Sequence, residues 1–158
     1  MLAKTDNKAA LVVARRINDP WFRSQALSWV SRFSDSDSIE IAKEAARAAA
    51  ECDNAYKRSS VRAWEITALA ERGFASGARK SLSSAVEIAG EVQPASSRAE
   101  AIFLILQSAA KISLDDAHGV FEILESSIGT ENHWRCKRSL RDGRAIVEGR
   151  QESRQFFW

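Results

Sequence analysis

The chain has 158 residues, 45% of them hydrophobic, with a formal net charge of +2, seven glycines, two prolines, two cysteines and two histidines. That length supports a single domain with a real core, burying roughly 70% of the surface of the unfolded chain. So few turn residues exclude a sandwich or barrel, and two Cys with two His make no CxxC or HExxH pattern, so no metal or cofactor is expected.

The first segment ends its six-residue apolar run, Ala9 to Ala14, at Arg15-Arg16, short of the ~7–15 residues of a signal-peptide core. The longest apolar run falls far below the ~20 residues of a membrane span. A cytoplasmic protein without a membrane partner is expected.

Capping chemistry then marks helix starts. Asp19-Pro20 sets an acceptor before a proline whose missing N–H costs nothing at the first helical position. Asp37 to Glu40, Ser97 to Glu100 and Ser113 to Asp116 have capping-box spacing. Asp53-Asn54 and Gly129-Thr130 supply breaks, and Gly73 suits a left-handed helix end. Eight helices are predicted, at 5–17, 20–33, 38–51, 55–72, 76–92, 95–112, 114–128 and 131–149. The sixth holds the apolar run Ala101 to Leu106, which circles most of a helix and must be enclosed by neighbours. Phe103 and Leu104 are therefore expected at the centre of the core.

The helices repeat. Ile17, Cys52, Val92 and Ile128 lie 35, 40 and 36 residues apart, and each is followed six or seven residues later by an arginine: Arg23, Arg58, Arg98 and Arg135. Preceding helices carry i, i+4, i+7 faces at Ala42/Ala46/Ala49, Ala78/Leu82/Ala85 and Ala117/Phe121/Leu124. A period of this length signals stacked helix pairs. Cys52 reads as a small core residue of that repeat.

These features resemble the α-solenoid families. Ala78, Leu82 and Ala85 after Gly73-Phe74 look like the second helix of a tetratricopeptide unit, and Asp19-Pro20 with Arg23 and Ala26-Leu27 looks like a HEAT junction. The resemblance covers roughly residues 5–150. It implies an all-α, right-handed superhelix of about four antiparallel helix pairs, here a single repeat domain over 1–150 followed by an aromatic tail, 151–158.

The repeated arginines fit a structural role, pairing with acids or with the carbonyls that end the preceding helix; the alternative is a ladder that reads anions on a partner. Trp21, Trp29, Trp64 and Trp134 stand in second helices near junctions. They fit as fillers between units, with Trp21 the best candidate for an interface anchor. Cys136 lies among Arg135, Lys137 and Arg138, where cations would lower the pKa of an exposed thiol. A nucleophile also needs a base and an oxyanion site, and neither is visible, as His118 and His133 have no convincing partner.

The expected function is thus a non-enzymatic scaffold for another protein or peptide, binding along the second helices through Trp21, Arg23, Ser31, Arg62, Glu65, Gln107 and Arg141. Nucleic acid or another polyanion is the alternative. Residues 129–158 carry seven Lys/Arg against four Asp/Glu, and Arg135, Lys137, Arg138, Arg141 and Arg144 would meet phosphates. The final Phe156-Phe157-Trp158 would be unfavourable in water. It is expected to cover the last helix pair, within its own chain or across a homodimer.

Overall fold

The computed structural model describes residues 2–158. Every element among them is helical: α1 (Leu2–Thr5), α2 (Asn7–Arg15), α3 (Pro20–Phe33), α4 (Ser38–Ala50), α5 (Ala55–Ser60), α6 (Arg62–Glu71), α7 (Ala75–Gly90), α8 (Ala95–Ala109), α9 (Leu114–Ile128) and α10 (Trp134–Val147). No helix among the described residues is long and apolar enough to cross a membrane.

Most ends follow their caps. The Asp19 carboxylate accepts from the Trp21 and Phe22 amides, and Ser113 Oγ accepts from the Asp116 amide at 3.0 Å. Asn54 caps α5 through the Lys57 amide, and Gly73 takes φ +82° after α6. Four expectations need correction. The first helix is broken at Asp6, which leaves helical geometry to cap α2 through the Ala9 amide. The helix predicted over 55–72 is interrupted at Val61, whose carbonyl accepts from the Trp64 amide in a tight turn. Asp37 makes no side-chain cap; its own amide instead donates to Ser34 Oγ. Ser97 lies inside α8, which starts at Ala95 after Pro94.

Side-chain contacts fix how the helices run. Ser24 donates to the Ala45 carbonyl and Ser31 to the Ser38 carbonyl, so position rises along α3 as it falls along α4. The same reversal joins α6 to α7, where Arg62 meets Ser84 and Glu65 meets Ser81. Both pairs are antiparallel. In contrast, Trp21 touches Trp64 and Arg32 pairs with Glu71, so α3 and α6 run in the same direction. Helices α3, α6, α8 and α10 form a row, each touching the next, and α2, α4, α7 and α9 pack on members of that row. Where α7 and α9 touch directly, α4 and α7 make little or no contact.

The enclosed centre is not where the sequence puts it. Phe103 and Leu104 are only partly buried, while Ala101, Ile102, Ile105, Leu106 and Ala109 carry the inward face of α8. The helix wrapped on nearly all sides is α6, with Arg62, Ala63, Glu65, Ile66, Thr67, Ala68 and Leu69 buried between α3, α4, α7 and α8.

Two glycines in helices make opposite predictions. A Cβ on Gly143 would lie 3.1 Å from Phe121 Cδ2 and 3.4 Å from Leu106 Cδ1, whereas one on Gly119 of α9 would meet nothing within 4 Å. Gly119→Ala should stabilise by roughly 0.5–1 kcal/mol, the ordinary helix-interior gain. Gly143→Ala should lose about 1 kcal/mol net, as overpacking exceeds that gain. Urea midpoints of the two variants check the pair.

Acid stability has a local source. Asp116 accepts from Arg79 Nε and Nη2, each at 3.0 Å, and from Ser113 Oγ, tying α7 to α9. Hydrogen bonding to Arg79, aided by Ser113, holds its carboxyl below the ordinary value of 3.8. A depressed folded value gives stability that is present above the unfolded value and lost as pH falls through the folded one. The gap in urea midpoint between the native chain and Asp116→Asn should therefore close as pH drops below the ordinary aspartate value.

Candidate interaction surfaces

The residues after α10 leave helical structure at Gly149, where φ is +71°, and cross the row of α8, α6 and α3. Lys111 Nζ, in the turn after α8, donates to the Ser153 carbonyl, and the Arg154 amide donates to Gln107 Oε1 of α8 at 3.1 Å. The Arg154 guanidinium lies over the rings of Trp64 and Phe156, 5.4 and 5.0 Å from their centroids. Phe156 meets Trp64 edge to face at 5.4 Å, and Phe157 and Trp158 meet Trp29 at 5.0 and 5.3 Å. Phe156 is 0% exposed. The tail thus runs from α8 over α6 to α3, closing a cluster with Ala63, Ala68, Phe33 and Leu104. This corrects the expectation that it covers the last helix pair. The large rings it packs against stand on α3 and α6.

Of the seven residues expected on a binding face, only Gln107 touches the tail. Trp21 reaches it through Trp64, at 6.1 Å between centroids. Trp21 also lines a cleft of about 680 Å³ with Phe22, Tyr56 and Val92, at the edge where second helices begin. Ser31 is buried between α3 and α4 against Ser38, so it cannot face a partner. Arg62 and Glu65 are buried and hydrogen-bonded to each other at 2.5 Å. Arg141 is exposed and pairs with Asp142.

Of the four arginines, Arg23 and Arg98 act as joints. Arg23 donates to the Ile17 carbonyl and pairs with Glu51, and Arg98 donates to the Val92 carbonyl and to Ser127. Each reaches back six residues to a main-chain carbonyl. A long donor bridging to the end of the preceding helix satisfies carbonyls that the helix leaves open. Arg23 is therefore spent on the fold rather than offered to a partner.

Four of the five basic residues are in ion pairs. Arg135 and Arg138 share Glu100, Arg144 pairs with Glu125, and Arg141 takes Asp142; Lys137 alone makes no ion pair among the described residues. Trp134 was expected to fill a junction but is 58% exposed, stacked by His133 and covered by Arg138. Cys136 is buried, and burial pushes its thiol up, as it does for Cys52, so neither carries an activated thiolate. Among the described residues no three His, Cys, Asp or Glu gather as metal ligands.

A third surface went unseen in the sequence. Between α4 and α7 lies a groove of about 760 Å³, floored by Arg62 and Glu65 of α6 and walled by Ile39, Ala42, Ala46, Leu69 and Phe74. Comparison with protein-family models, curated proteins and solved structures finds no match.

Proposed function

We propose that the chain is a non-enzymatic α-solenoid scaffold, a right-handed stack of four helix pairs, whose second-helix row binds an extended segment of another protein. The pairs are α2/α3, α4/α6, α7/α8 and α9/α10. The equivalent Arg23 and Arg98 joints support the repeat. The observation that carries the binding reading is the tail: eight residues without secondary structure lie across α8, α6 and α3, anchored by two buried phenylalanines. Buried aromatic anchors on a row of helices are the chemistry of peptide capture. Polyanion binding is the weaker reading, because four of its five cations are committed to acids.

The test uses the full-length chain with Phe156→Ala and Phe157→Ala, which empties the face without removing the tail. A peptide of residues 150–158 should bind it saturably, followed by tryptophan fluorescence, and at least tenfold more weakly to the native chain, whose own tail competes. Equal, weak binding to both would sink the reading.

A further inference from the structure

The groove between α4 and α7 combines apolar walls with a charged floor, and its uncommitted charge has one sign. On the floor, Glu65 is 2% exposed and its oxygens are used: Arg62 Nε and Nη2 reach them at 2.5 and 3.4 Å, and Ser81 Oγ at 2.5 Å. Arg62 is nine-tenths buried, and its only other bond is from Nη1 to Ser84 Oγ at 3.5 Å. A guanidinium has five N–H donors in a fixed fork. Two on Arg62 are left over, on a side chain that lines the groove.

Of the two lysines on the walls, Lys43 pairs with Glu40, while Lys80 makes no ion pair among the described residues. No acid other than the spent Glu65 lines the groove. The open polar groups are therefore donors, and the unspent charge is positive. The rest of the lining is Ile39, Leu69, Phe74 and alanines, with two glycines and the serines. Small-molecule sites are concave, mostly apolar, of roughly 300–1,000 Å³, with a few converging polar groups. This groove meets each condition.

We infer that the α4–α7 groove is a binding site for an amphipathic anion, an apolar body bearing one carboxylate. The carboxylate meets the free donors of Arg62, Ser84 and the Lys80 ammonium, and the body lies along Ile39, Leu69 and Phe74. Charge complementarity selects this occupant. A cationic amphiphile would oppose Lys80, and a neutral one would leave the Arg62 donors unmatched. The site is separate from the tail-covered row, so it stands or falls independently of the proposed scaffold role.

The probe is decanoate, titrated calorimetrically into the full-length chain, with decyltrimethylammonium and decanol as headgroup controls. Decanoate should bind with a stoichiometry of about one, at least tenfold tighter than either control, and shift the amide resonances of Gly77, Ser81 and Ser84. Lys80→Glu, a change at an exposed position, should weaken it tenfold or more with the melting temperature unchanged. Arg62→Met with Glu65→Leu should weaken it similarly while keeping an apolar floor. Equal affinity for the three headgroups, no saturable decanoate binding, indifference to Lys80→Glu, or resonance shifts centred on the apolar groove beside Leu2, Val13 and Trp158 would each overturn the assignment.

Discussion

Phe156→Ala should lower stability by about 3–5 kcal/mol, the range for emptying a buried phenylalanine site. On a chain of this size that is a fall in melting temperature on the order of 10 °C. The ring is fully enclosed and sits at the junction of Trp64, Ala63, Ala68 and the Arg154 guanidinium. The loss has a ceiling. A tail can undock, so no substitution in it can cost more than the free energy with which it docks. Replacing both Phe156 and Phe157 should therefore cost little more than Phe156→Ala alone. Thermal melts of the single and double variants decide it: additive losses would mean that the tail cannot leave its face.

The second large effect lies under the α4–α7 groove and is asymmetric. Arg62→Met strands the Glu65 carboxylate, which is 2% exposed and left with Ser81 alone. Breaking a buried pair from one side costs about 3–5 kcal/mol. Glu65→Leu should cost less, because Arg62 lines an open groove and can turn its charge toward water. The double variant should recover most of the loss, since apolar replacement of a whole buried pair is often neutral. A double-mutant cycle by urea denaturation measures all three. Equal losses in the two single variants would contradict the asymmetry.

Local chemistry was legible and long-range placement was not. Asp19-Pro20 and Ser113 to Asp116 announce helix starts because a cap is a contact within three residues. The contacts of Arg23 and Arg98 with preceding carbonyls were legible for the same reason, each reaching back only six residues. Helix α6 was misjudged at its polar residues. Arg62, Glu65 and Thr67 look solvent-facing until Ser81, Ser84 and the flanking helices close over them. Ala101 to Leu106 drew attention by apolarity alone, yet Leu104 serves a tail about 50 residues away that no periodicity could connect to it. Ser31 failed similarly, because a serine on a helix face reads as exposed until its partner across the pair is known to be Ser38.

The path of the tail changes how the row of helices comes apart. An open-ended stack of helix pairs, each touching only its neighbours, frays from whichever end is weaker, and the far end does not sense it. Here the segment leaving α10 reaches Trp29 and Phe33 on α3, so the beginning and the end of the row share one aromatic cluster. Opening either end then removes contacts from both. The ladder becomes a closed circuit, and its two ends should exchange amide hydrogens with matched protection that Phe156→Ala uncouples.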